Sequence, residues 1–231
     1  MAGKATLSRI SKGRIAALTV LFAALTVTAV RVETPTAVLA AGSVPCCGSI
    51  TPAGERLSAM LDEMQVERLW IAHEHVNWET GVPDKGSDYV GPGNHTHCSA
   101  FAAAAAKRLG VYLLRPPDHG QVLLANAQAD WLASDAGRQA GWRSVSRMRE
   151  AQHRANEGQL VLAVYQNPDP HTPGHVAIVR PSLRSAEVLE ADGPELIQAG
   201  QHNHNKINTR VAFENHPGAW PDGIRFYWHP L

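Results

Sequence analysis

Apolar and polar positions follow two different periods along this chain. In residues 55–64, Leu57, Met60, Leu61 and Met64 recur at the spacing of one helix face. In residues 98–109 the same period brings Cys98, Phe101, Ala102, Ala105 and Leu109 together. Lys107 and Arg108 lie near the end of that stretch, where they suit the helix dipole, and Gly110 is placed to stop it. Two more helical stretches are predicted at roughly 122–136 and 145–156, the second ended by Gly158. The period then shortens. Residues 160–165, 175–179, 187–191, 195–199, 207–213 and 224–228 are short, β-branched or aromatic runs separated by Pro, Gly, Asn or Asp, which predicts strands. Residues 69–78 fit helix and strand equally, and the glycines and prolines of residues 80–95 predict a loop. Helices first and strands afterwards imply an α+β fold whose sheet is largely antiparallel.

The beginning of the chain has another logic. Lys4, Arg9, Lys12 and Arg14 precede an uncharged apolar run over residues 15–30 and a small-residue stretch ending at Ala40, the order of a secretory signal. The run has roughly 16 residues where a bilayer span needs about 20. The expected organisation is therefore a signal peptide over residues 1–40, a linker over 41–54 and one domain over 55–231, exported to the periplasm or beyond. Retention of the signal would instead keep the protein at the membrane. Residues 1–40 hold five basic residues and one acid, so the whole-chain balance of 21 against 21 becomes 16 basic against 20 acidic residues. A mildly acidic domain argues against nucleic acid as a partner. Nothing in the sequence calls for a partner subunit, and a monomer is expected.

Three cysteines are too few for a disulfide scaffold. Cys46 and Cys47 lie in the Pro/Gly-rich stretch after the signal, whereas Cys98 stands alone in the domain, at the head of a helix. Unpaired N–H groups and positive potential at that position are expected to lower a thiol's pKa from about 8.5. His175 heads an apolar strand, on the same strand face as Ala177 and Val179. A thiol and an imidazole can work as nucleophile and base, given a third group that holds the imidazole in one tautomer.

The segment His97-Cys98-Ser99-Ala100-Phe101, continuing through an alanine-rich helix to Leu109-Gly110-Val111, resembles the nucleophile segment of the NlpC-type cell-wall peptidases. Gly174-His175-Val176-Ala177-Ile178 is similar to that family's histidine strand, and the related CHAP amidases share the order. The likeness covers roughly residues 89–228. His97 stands where the family usually has Asp, and Ala100 where it has Gly. The resemblance implies a papain-like fold, with the Cys98 helix packed on the sheet that carries His175, and hydrolysis of amide bonds in peptidoglycan peptides without a cofactor. It also implies a polar residue on the strand after His175 that orients the imidazole. Gln198 comes first, accepting from the Nδ1 proton. Glu190, on the expected strand 187–191, comes second and Asn203 third. The oxyanion would meet the Cys98 backbone N–H and a side-chain donor, for which Tyr89 and His97 are the candidates.

Two other classes fit parts of the sequence. The pairs His73/His75, His95/His97 with Cys98, and His202/His204 offer ligands for a zinc-dependent hydrolase, although neither HExxH nor CxxC spacing occurs. Trp70, Trp78, Trp131, Trp142, Trp220 and Trp228 could line a groove in an inactive wall-binding module on the same fold.

Overall fold

The computed structural model describes residues 45–231, so the expected signal peptide lies outside the described residues. In chain order the elements are α1 (Pro52–Glu63), α2 (Cys98–Arg108), α3 (Leu124–Ala133), α4 (Asp135–Gln139), β1 (Arg143–Val145), α5 (Met148–Asn156), β2 (Leu160–Tyr165), β3 (His175–Val179), α6 (Ala186–Asp192), β4 (Glu195–Gln198), β5 (His204–Asn208), α7 (Thr209–Ala212) and β6 (Arg225–His229). The fold is α+β. Its six strands form one antiparallel sheet in the order β1-β6-β2-β3-β4-β5. Among the described residues, no helix is long and apolar enough to cross a membrane.

The sheet separates two cores. On one side Leu162, Val164, Val176, Ile178 and Ile197 pack with Leu57 and Leu61 of α1 and with α2. On the other, Val161, Ala163, Ala177, Val179 and Leu196 pack with Ala151 and Ala155 of α5 and with Phe213. The central strands β2 and β3 are buried along their whole length, which is why they read as near-continuous apolar runs. Ala102 to Ala106 are fully buried, and their small side chains let α2 lie close against the sheet. Larger groups there would force helix and strands apart.

Several expected elements change for local reasons. The helix predicted over 122–136 is interrupted at Ser134, whose extended backbone ends α3 and whose hydroxyl accepts from Gly137 N–H to start α4. Val145 joins β1 opposite Phe226, so α5 begins only at Met148. The predicted strand 187–191 is instead helix α6. The Ser185 hydroxyl accepts from Val188 N–H at its start, and Leu189 alone within it is buried. A capped helix of about two turns has outweighed the apolar alternation that suggested a strand. The strand predicted over 207–213 comes earlier, as β5, and α7 takes the residues after it. Thr209 begins that helix, its buried hydroxyl donating to the Pro194 carbonyl. Residues 69–78 form neither helix nor strand.

The expected linker over 41–54 is also corrected where it is described. Cys46 N–H donates to the Arg184 carbonyl and Thr51 N–H to the Asn156 carbonyl, while the buried Asn156 amide donates to the carbonyls of Cys47 and Gly48. Residues 45–51 therefore belong to the packed fold, and Thr51 caps α1 ahead of Pro52. Cys46 and Cys47 are joined to each other as a disulfide.

Candidate active site

Cys98 is the first residue of α2, and the helix has no side-chain cap. The first-turn N–H groups of such a helix have no intrahelical acceptor. The backbone N–H groups of Val176, Ser99 and Cys98 itself and the Ser99 side chain act electrostatically on the sulfur. Those contacts favour a thiolate, yet the residue is only 3% exposed, and burial pushes the thiol above its ordinary value. Desolvation thus wins over the helix terminus, which reverses the expected lowering.

His175 opens β3 opposite Tyr165 of β2. Gly174 before it must be glycine, because a Cβ there would collide with the Tyr165 carbonyl and with Asn126 Oδ1. The imidazole is buried at 4% exposure. Its Nε2 donates to Gln198 Oε1 at 2.7 Å, and the Gln198 amide in turn points its Nε2 at the His202 carbonyl at 3.5 Å. This arrangement fixes the proton on Nε2 and leaves Nδ1 as the free lone pair, the opposite ring nitrogen from the one expected to face Gln198. Phe213 meets the ring edge-on at a centroid distance of 4.9 Å, and His216 stacks on it at 5.1 Å with an interplanar angle of 17°. Burial pushes His175 down to about 4, despite the Gln198 hydrogen bond, which acts in the other direction. His216 is also pushed down to about 4, by burial first and by His175 second.

Cys98 and His175 lie on either side of the beginning of β3. Val176, whose N–H acts on the sulfur, packs in the α2 core, whereas His175 turns to the opposite face, where Phe213 and His216 lie. No hydrogen bond joins Cys98 to His175 among the described residues. Two cavities open there and share a wall of Thr96, Pro173 and Gly174. One, of about 470 Å³, contains Cys98, and the other, of about 250 Å³, contains His175 and Gln198.

Of the remaining sequence candidates, Glu190, Asn203 and Tyr89 line neither cavity, whereas His97 lines the one that contains Cys98. Glu190 lies exposed on α6, so no strand carries it past His175. Asn203 uses its amide to hold the carbonyls of Val66, Leu69 and Trp70, at 2.7, 2.8 and 3.2 Å, and works as a clamp on that loop. The Tyr89 hydroxyl donates to the Pro92 carbonyl, and its ring packs against His75 outside both cavities. His97 is buried, its Nε2 donating to the Glu74 carbonyl, and burial lowers its pKa so that it stays neutral. It therefore anchors the loop before α2.

The zinc candidates do not converge. His75 pairs with Asp84 and His73 with Gln201, and among the described residues no group of three or more His, Cys, Asp or Glu side chains is arranged to hold a metal ion. None of the six tryptophans lines either cavity. Sequence reasoning missed His216, Thr96 and Gln121. His216 sits in the polar run Glu214-Asn215-His216, which has no periodic signal. Thr96 could have been flagged by its place two residues before Cys98.

No protein-family model matches this chain, and no curated protein is similar enough to it to be matched.

Proposed function

We propose that this chain is an exported cysteine hydrolase that cleaves amide bonds in peptides, with peptidoglycan as the substrate class, on a papain-like arrangement of nucleophile helix and histidine strand. The observation that carries the reading is the junction of α2 and β3. A buried thiol at a helix start lies beside the start of the strand that carries a buried histidine, whose tautomer Gln198 fixes. The resemblance of the segments around Cys98 and His175 to the NlpC-type peptidases supplies the substrate class.

Burial keeps the resting pair as neutral thiol and neutral imidazole rather than as an ion pair. Nδ1 of His175 is the base. Substrate entering at the shared wall brings the sulfur and Nδ1 into one reaction path, a contact that commonly tightens only in the substrate complex. The S–H proton passes to Nδ1 as sulfur attacks the carbonyl carbon. The tetrahedral oxyanion is received by the Cys98 backbone N–H and neighbouring first-turn donors. The C–N bond then breaks, His175 gives its proton to the departing amine, and a thioester remains. Water, deprotonated by His175, attacks the thioester and releases a carboxylic acid and the restored thiol.

The test is digestion of purified peptidoglycan, with released fragments identified by mass spectrometry. The unmodified protein is expected to release peptides and Cys98→Ala to release none. Equal release by Cys98→Ala would remove the nucleophile assignment. Absence of any product from every wall type would remove the substrate class.

A further inference from the structure

The two cavities beside β3 differ in chemistry, and the difference bears on what the site accepts. This step rests on Cys98 being the nucleophile. In an acyl transfer the departing amine must lie where the proton donor can reach it. The leaving side of the substrate therefore occupies the His175 cavity, whose lining includes Gln201, His202, Glu214 and Asn215. The acyl side is left with the cavity that contains Cys98. Its walls include Val122, Leu123, Ala125 and Pro173 beside His95, His97 and His171, and neither lysine nor arginine lines it.

Two details mark this cavity as built for a ligand. Leu123 is held at φ 53°, in the left-handed region, just before α3. A glycine would be relaxed there, so a leucine at this position keeps an apolar wall against a backbone penalty of roughly 1–2 kcal/mol. Gln121 also lines the cavity. Its Nε2 donates to the Val76 carbonyl at 3.2 Å, which fixes the amide's orientation, and its Oε1 is buried with no partner. A buried acceptor left open in this way is free to take a donor from outside the chain.

We propose that the cavity beside Cys98 is the acyl-side subsite and that it selects an uncharged amino-acid residue, its apolar side chain against Val122, Leu123, Ala125 and Pro173 and its peptide N–H received by Gln121 Oε1. A carboxylate there would face the Gln121 oxygen, with neither lysine nor arginine to pair with it. An ammonium would be stripped of water among apolar walls.

The experiment uses acetyl-aminoacyl chloromethyl ketones, which present one acyl-side residue to the thiol, with Cys98 alkylation followed by intact mass and peptide mapping. The acetyl-leucyl reagent is expected to react at least about tenfold faster than the glutamyl and lysyl reagents. Methylating the leucine nitrogen, which removes the donor, is expected to slow labelling by about fivefold to tenfold. Gln121→Met should erase that methylation penalty, and where this variant fails to fold, the methylated and unmethylated pair on the unmodified protein decides. Faster labelling by the glutamyl or lysyl reagent, or equal rates with and without the N–H, overturns the subsite. Labelling of Cys98 by iodoacetamide but by none of the ketones also overturns it while leaving the nucleophile standing. Failure of every reagent at Cys98 removes both.

Discussion

The thiol and the imidazole are held by different kinds of structure. Cys98 is positioned by backbone, through the first turn of α2 and the N–H of Val176, with only Ser99 contributing a side chain. His175 is positioned by side chains from two other segments, Gln198 on β4 and the pair Phe213 and His216 around the end of α7. A backbone cradle survives most substitutions, whereas a side-chain clamp is lost with one. The comparison breaks most sharply at His175 and Gln198. His175→Ala is expected to lower kcat/KM by at least about a thousandfold, as loss of a base that acts with its nucleophile does. Gln198→Ala leaves the buried Nε2 proton without an acceptor, which costs about 1–3 kcal/mol and corresponds to about a tenfold to hundredfold loss. Ser99→Ala, which removes the side-chain hydroxyl that acts on the sulfur, should stay within about threefold. Steady-state kinetics on one released peptide would rank the three, and a loss at Ser99 equal to that at Gln198 would end the distinction.

The same asymmetry has a consequence for stability. His175 titrates near 4 in the fold and near 6.5 when unfolded. Below pH 6.5 the unfolded chain binds the proton that the native state refuses, so stability falls as pH drops from 6.5 towards 4 and levels off below. A shift of this size corresponds to about 3 kcal/mol as an upper figure. Thermal unfolding followed between pH 7 and 4 should show a falling midpoint, and His175→Gln should remove about half of the slope, the rest coming from His216, which is pushed down to about 4 as well. Cys98→Ala should leave the slope unchanged, because a thiol with a raised pKa carries no charge change in that window. An equal slope in His175→Gln would place the acid sensitivity elsewhere.

What could be read from the sequence follows the same division. The α+β class, the position of Cys98 at a helix start and that of His175 at a strand start depend on local periodicity and on Gly174 and Gly110, and the structure has all of them. The helix over 186–192 was hidden, because Ser185 capping acts over three residues while the apolar pattern there has no period long enough to distinguish it from a strand. Asn203 shows the limit for site residues. Its sequence neighbourhood is polar and follows β4, as an imidazole partner's would, yet its amide is spent on three carbonyls of the loop at residues 66–70, more than 130 positions away. Pairings over such distances leave no trace in a single sequence. Asn203→Ala is accordingly expected to lower stability by about 2 kcal/mol, or about 4–8 °C in Tm, with kcat unchanged within about twofold. A large fall in kcat at unchanged Tm would return Asn203 to the site.

The finest distinction is at His216, where two things that the stacked ring does can be separated. The stack orients the His175 imidazole, and an aromatic pair of this kind is worth about 0.5–1.5 kcal/mol. Its basicity adds a second effect, since protonation of either ring disfavours protonation of the other. His216→Phe keeps a flat ring against His175 and removes the charge. Its activity at pH 7 should match the unmodified protein, while the acid limb of kcat/KM should move to higher pH by a fraction of a unit, because His175 then accepts its proton without a competing cation. His216→Ala removes ring and charge together and should lower kcat severalfold at pH 7 as well. A pH profile of the two variants distinguishes these outcomes. Identical profiles for His216→Phe and the unmodified protein, with His216→Ala equal to both, would show that Gln198 and Phe213 suffice to hold the imidazole.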